Sequence, residues 1–203
     1  AHSGDRWADV IETEPDLLAS IALAAERDEL GIEAGLQDRV VQTYDNAVLM
    51  DFAPAAARRL RGLEAGTYRR VADVPATLFV ATRPASASSS AVVHRQLADR
   101  RDHAGVRRSM QRLGDQARRA ARAIDGHDVA ELGAAMDASF DLRRSIIDLD
   151  AAHVEMIEIA RAAGAHANYS GSGGAITVLG TDDDATERAR AALEDASCSI
   201  LAI

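Results

Sequence analysis

Lysine is missing from this sequence: each of the 23 residues in its Lys-plus-Arg count is an arginine. No Schiff-base amine and no Walker-type phosphate lysine can therefore come from this chain. Cysteine occurs once, as Cys198. An internal disulfide is excluded, and the apolar setting from Ser197 to Ile203 reads as a buried strand in a reducing compartment. Aromatic residues make up only 3%, which leaves the core to Ala, Leu, Ile and Val. Long apolar runs are lacking as well: none approaches the roughly 18 residues of a membrane span. No signal peptide is visible after the ragged opening Ala1 to Asp5, which reads as truncated. The expectation is a cytoplasmic protein with no membrane partner.

What is present suits a folded domain. The 203 residues are 47% apolar and 27% charged, enough for one large domain or two small ones. A net charge of −9 argues against a nucleic-acid partner. The local cluster Arg100, Arg101, Arg107 and Arg108 is diluted by acidic residues and reads as a solvated helix face.

The pattern predicts a helix opening at Pro15 and Asp16, with Leu17, Leu18, Ile21, Ala24 and Ala25 at helical spacing and Gly31 past its end. A turn from Gly31 leads to a short helix ending near Tyr44, then a strand from Ala47 to Phe52. Residues 54–76, with Pro54, Gly62, Gly66 and Pro75, read as a connection. Thr77 to Thr82 is a buried strand. Helices dominate from Ser88 to Ala163 after a small-residue loop at Ala85 to Ser90, and Asp128 with Glu131 has the spacing of a reciprocal cap. A Gly-rich turn, a strand from Ala175 to Leu179, a helix from Asp184 to Asp195 and a strand from Ser197 to Ile203 close the chain. This order predicts an α+β sandwich, antiparallel sheet on one side and helices on the other.

Three places could carry chemistry. Asp38 falls in the first turn of a predicted helix, where the dipole favours an ionised carboxylate able to orient a hydroxyl and accept its proton. The same position also suits an aspartate that only stabilises the helix start, and from spacing alone that is the commoner case. Tyr169 to Gly174 holds three glycines and two serines before a strand. Its backbone N–H groups could face an anion, or it could be a tight β-turn. Arg143 and Arg144 end the run from Phe140 on a long helix. Guanidinium forks match carboxylates and phosphates, although a surface ion pair is their commoner use. About 100° of helical rotation separates the two arginines, so they do not face one direction. The six histidines show no ligand spacing, and with one cysteine no metal site of the chain's own is expected. Ser170 and Ser172 lack a nucleophile-elbow setting.

Taken in order, these segments resemble GHMP-class small-molecule kinases, nearest to the glucuronokinase-type sugar kinases. Glu26 to Ile32 and Ala34 to Val40 resemble the glucuronokinase stretch that holds the catalytic aspartate, and Val48 to Phe52 continues it. Ser139 to Arg144 resembles the helical Asn-Phe-Asp-Leu-Arg-Arg block. Glu155 to Arg161 and Gly164-Ala165 follow in the same order, and Tyr169 to Ala175 is similar to the third GHMP motif. The likeness runs from about residue 15 to about residue 180, and four ordered blocks are more specific than any one of them.

The resemblance implies a remnant of the GHMP N-terminal α/β domain, residues 1–74, followed by a ferredoxin-like C-terminal sandwich with extra helices, residues 75–203. It implies an ATP-dependent kinase acting on a glucuronate-like sugar acid, with Mg²⁺ entering with the nucleotide and the active site in a cleft between two domains. Asp38 would be the base or orienting carboxylate. Gly171, Ser172, Gly173 and Gly174 would support the nucleotide phosphates, and Arg39, Tyr44, Arg143 and Arg144 would serve the sugar. The family's phosphate-wrapping Pro-x-x-x-Gly-Leu-(Gly/Ser)-Ser-Ser loop is not found in these residues. The chain alone is therefore expected to be inactive and to need the missing segment or self-association. Tyr44-Asp45-Asn46 stands where relatives have Tyr-Gly-Gly, which puts the local turn in question. A heptose-phosphate kinase, or a non-catalytic small-molecule-binding domain, are the alternatives.

Overall fold

The computed structural model describes residues 14–32, 34–83, 100, 102–171 and 174–203. It divides into two compact units, Ala1–Asp73 and Val74–Ile203.

In the first unit, helix α1 (Pro15–Ala24) continues into a π-helical turn, Ala25–Glu29. Helix α2 (Leu36–Tyr44) packs against α1. Strand β1 (Val48–Asp51) pairs antiparallel with β4 (Thr67–Arg70), Val48 opposite Arg70. Between them β2 (Arg58–Leu60) and β3 (Leu63–Ala65) form a hairpin. Ala19, Leu23, Leu36 and Val40 make the core.

Two expectations are corrected here and one open question is answered. Residues 54–76 are not a bare connection, because they contain β2, β3 and β4. Each strand of the β2–β3 hairpin is three residues long, too short for its apolar alternation to stand out. The hairpin turns on Arg61 and Gly62, both at positive φ (50° and 88°), as a two-residue type I′ loop requires. On α1 the buried residues are Leu17, Ala19, Ser20 and Leu23, whereas Ile21 is exposed. Ser20 can be buried because its hydroxyl donates to the Asp16 carbonyl at 2.8 Å. At the end of α2, Asp45 takes up the left-handed conformation (φ 46°, ψ 44°) that a glycine would adopt without strain.

The second unit carries strand β5 (Leu78–Thr82), helices α3 (Ala104–Asp125), α4 (Val129–Arg144) and α5 (Ala151–Ala162), strands β6 (His166–Ser170) and β7 (Ala175–Leu179), helix α6 (Asp183–Asp195) and strand β8 (Ser199–Ala202). The sheet order is β6-β7-β5-β8 with every neighbour antiparallel. That is the ferredoxin-like order, with α5 and α6 as its two helices and α3 and α4 as additions. Phe79, Phe140, Met156, Ile157, Ile176 and Leu193 anchor the core between sheet and helices. Cys198 is buried just before β8 rather than inside it, because the strand starts only at Ser199, after Ser197 turns at φ 63°. The cap at α4 is one-sided. Asp128 accepts from the Glu131 N–H at 2.9 Å, but the Glu131 carboxylate is drawn away into a two-pronged pair with Arg119. The Ala85–Ser90 loop, His94 and the predicted helical start at Ser88 lie outside the described residues.

Helix α4 approaches β6 at Gly133, where a Cβ would sit 2.0 Å from the His166 ring. Gly-to-Ala in a helix ordinarily stabilises by about 1 kcal/mol. Here the methyl group must displace the ring, so Gly133→Ala is expected to destabilise the second unit by about 1–3 kcal/mol. Urea unfolding measures this, and a gain in stability would mean that α4 and β6 are farther apart.

Candidate functional site

Gly35 starts α2 in extended conformation, which makes Asp38 the third helical residue, within the first turn. Its carboxylate is open to solvent, 80% exposed, and its ion-pair partner is Arg39, whose Nη1 is 3.2 Å from Oδ2. Arg39 itself is only 17% exposed and is committed elsewhere. Its Nη2 donates to Glu26 Oε1 at 2.5 Å and its Nη1 reaches the Gly35 carbonyl at 3.4 Å. The Glu26 hydrogen bond raises the Arg39 pKa. Glu26 sits on the π turn, a helical irregularity that proteins often place at functional sites. The result is a carboxylate at the positive end of a helix, presented outward, beside a cation already neutralised from behind.

Tyr44, at the other end of α2, has its hydroxyl in a short hydrogen bond to Asp16, whose second oxygen pairs with Arg58 Nη2 at 2.6 Å. Arg70 lies 5.6 Å over the Tyr44 ring and donates to its carbonyl at 2.7 Å. Burial, then the Asp16 carboxylate, pushes the Tyr44 pKa up to about 12. The structure thus brings Asp38 and Arg39 together and ties Tyr44 into a separate network with Asp16, Arg58 and Arg70.

In the second unit, Tyr169 is the last residue but one of β6 and Gly174 precedes β7, with Gly171 and Gly174 at φ 63° and 81°. Ser172 and Gly173 lie outside the described residues. Arg143 donates to the Gly171 carbonyl at 3.1 Å, and its guanidinium stands 5.5 Å over the Tyr169 ring. Burial lowers the Arg143 pKa. Arg144 points elsewhere and meets Glu158 at 3.5 Å, both side chains exposed. Helical rotation separates the two, and only Arg143 joins the turn. Among the described residues no carboxylate pairs with Arg143.

Sequence reasoning missed His153. It is fully buried, accepts the Gly174 N–H at 2.7 Å through Nε2 and bonds Tyr169 Oη through Nδ1. A lone histidine between Ala152 and Val154 carries no signal of this, since its partners are sixteen and twenty-one residues away.

Gly171 and Gly174 are both left-handed, and nothing lies within 4 Å of where a Gly171 side chain would begin. For a divalent cation, no group of three acidic, histidine or cysteine side chains comes together among the described residues. Nor is any helix among them long and apolar enough to cross a membrane.

Residues 117–199 match the family described as GHMP kinases C terminal. Glucuronokinase 1 of Arabidopsis thaliana is 36% identical over 169 residues, which cover 79% of this chain and 44% of that protein. Probable glucuronokinase 2 of the same plant is 36% identical over 178 residues, covering 83% and 46%. The chain spans about half the length of the curated relatives it matches. Streptococcus pneumoniae phosphomevalonate kinase, solved with phosphomevalonate and AMPPNP, superposes with a TM-score of 0.73 at 14% identity, over 94% of this chain and 62% of that one. L. major mevalonate kinase with R-mevalonate gives 0.64 at 22% identity, over 86% and 53%. The resemblance read from the sequence holds: residues 117–199 match that family, and the mixed helix-and-sheet fold is shared with the solved GHMP kinases.

Tyr44 makes the first unit sensitive to alkali. Its folded pKa lies above the ordinary value of 10.0, at about 12, so the folded state holds the phenol proton more tightly than the unfolded state does. The stabilisation is complete below pH 10 and is lost as pH rises toward 12. Tyr44→Phe is expected to flatten this loss in denaturation curves recorded from pH 9 to pH 12. An unchanged alkaline slope would show that Tyr44 does not share a proton with Asp16.

Proposed function

We propose that these residues belong to an ATP-dependent sugar kinase whose acceptor is a glucuronate-like sugar acid, working in the cytoplasm where Cys198 stays reduced. The observation that carries this reading is the outward-facing Asp38 carboxylate at the start of α2, with Arg39 held back by Glu26. Support comes from the order of the shared blocks and from relatives named as glucuronokinases.

In the proposed reaction the acceptor hydroxyl oxygen bonds to the γ-phosphorus as the bond from that phosphorus to the β,γ-bridging oxygen breaks. The hydroxyl proton passes to Asp38 Oδ, and ADP leaves. Little covalent work falls to the protein, so placement and charge decide the rate. Asp38 aligns the hydroxyl and receives its proton. Gly171 and Gly174, which carry no side chains, face the phosphates. Arg143, half-buried and without a carboxylate of its own among the described residues, receives the acceptor's carboxylate. Magnesium neutralises phosphate charge when bound, entering with the nucleotide.

Two substitutions test the roles in the complete kinase. Asp38→Asn preserves shape but removes the proton acceptor. It is expected to cut kcat by about 10²- to 10⁴-fold and to leave nucleotide affinity nearly unchanged, and wild-type turnover would refute the role.

Arg143→Leu is expected to raise KM for glucuronate about tenfold or more, the value of one charge-assisted contact, with a smaller effect on the neutral sugar. Arg144→Leu should leave that ratio alone. Equal losses for acid and neutral sugar in Arg143→Leu would make the arginine a strut.

A further inference from the structure

The turn from Tyr169 to Gly174 is held at three points from two helices. Helix α4 supplies Arg143 to the Gly171 carbonyl. Helix α5 supplies His153, which touches both ends of the turn at once: Tyr169 Oη on the entering strand and the Gly174 N–H on the leaving one. His153 is fully buried, third in α5 and close behind the Asp150 cap.

The proton inventory of an imidazole fixes the rest. A backbone N–H can only donate, so His153 Nε2, 2.7 Å from the Gly174 nitrogen, must be the bare, accepting nitrogen. The ring proton then sits on Nδ1, and Nδ1–H donates to Tyr169 Oη, 2.5 Å away. The other tautomer would aim a proton at the Gly174 proton, and a doubly protonated ring would do the same. Tyr169 is held in turn by stacking on Phe140 at 6.3 Å and by the Arg143 cation 5.5 Å over its ring.

We infer that His153 is the positioning residue of this site: in its Nδ1–H form it clasps Tyr169 to Gly174 and so holds together the two ends of the glycine-rich segment that meets the substrate phosphates. It touches no substrate, and its influence on the reaction passes through the turn. The role in the reaction rests on the kinase reading, whereas the clasp itself does not.

The test separates the two. In the ¹⁵N-labelled 203-residue chain at neutral pH, long-range proton–nitrogen correlation is expected to show His153 Nδ1 protonated and Nε2 bare. A proton on Nε2 overturns the inference. In His153→Leu, exchange of the Gly174 amide is expected to quicken about tenfold or more beyond that of core amides such as Val178. His153→Gln, whose amide can accept from Gly174 and donate to Tyr169, should restore protection. Equal quickening across the sheet would mean general destabilisation and would overturn a local clasp. If the Leu variant does not fold, the wild-type tautomer decides. In the complete kinase, His153→Leu is expected to lower kcat per folded molecule about 100-fold, as a misplacement near 1 Å does, with partial rescue by Gln. A displaced turn with unchanged kcat and KM would overturn the catalytic consequence. Absence of any phosphoryl transfer by the wild type would instead defeat the kinase reading, and the resonance and exchange results would still decide the clasp.

Discussion

The carboxylate of Asp137 is the point on which the second unit is registered. One oxygen takes the Ala167 N–H at 3.1 Å and Arg161 Nε at 3.0 Å, and the other takes His166 Nδ1 at 2.7 Å. A single side chain on α4 thereby fixes both the height of β6 and, through Arg161, the position of α5. Arg161 adds Asp141 at 3.0 Å and lies 5.1 Å over the Phe140 ring, so its charge is met on several sides. Charge-assisted bonds of this kind carry about 1.5–3 kcal/mol each, discounted here because the Asp137 and Arg161 side chains keep partial access to water. The consequence for the site is geometric. Arg143 lies further along α4, His153 near the start of α5 and Tyr169 further along β6, and each inherits its place from the Asp137 junction.

A chain with arginine as its one long basic residue uses the planar fork as a strut. Arg39 bridges Glu26 and the Gly35 carbonyl, Arg58 joins Asp16 to the Gly66 carbonyl, Arg119 grips Glu131 with two nitrogens, and Arg161 spans two aspartates. A lysine ammonium, being a point charge on a flexible stem, would not hold two acceptors in fixed directions. Against that pattern Arg143 stands apart. Its contacts are a carbonyl and an aromatic face. A half-buried cation that the protein itself leaves without a counter-charge among the described residues is suited to receive an anion from outside.

Local signals in the sequence reached as far as local physics did. Pro15 at the start of α1, Gly35 before α2 and the unbroken apolar strand at Thr77 to Thr82 each carry their own cue, and the elements stand there. The β2–β3 hairpin stayed hidden because its strands, within Arg58 to Ala65, are only three residues each and turn on Arg61 and Gly62, a pair with little turn signature. The π turn stayed hidden because i-to-i+5 bonding leaves no compositional mark. At the site, Asp38 and the glycine-rich turn were legible as types of residue in types of setting. The choice of Arg143 over Arg144 needed coordinates. His153 was beyond reach, since a buried histidine is defined by what lies across the fold from it.

The central claim is that these residues serve the transfer of a phosphoryl group from ATP to a sugar acid. Phosphorus NMR of the complete kinase with magnesium, ATP and glucuronate tests it most directly, because it identifies both the bond broken and the bond formed. The account predicts loss of the γ-phosphate resonance, an equal appearance of ADP, and a new sugar-phosphate resonance coupled to a sugar proton. Unchanged ATP across a panel of sugar acids, or release of inorganic phosphate alone, would contradict it.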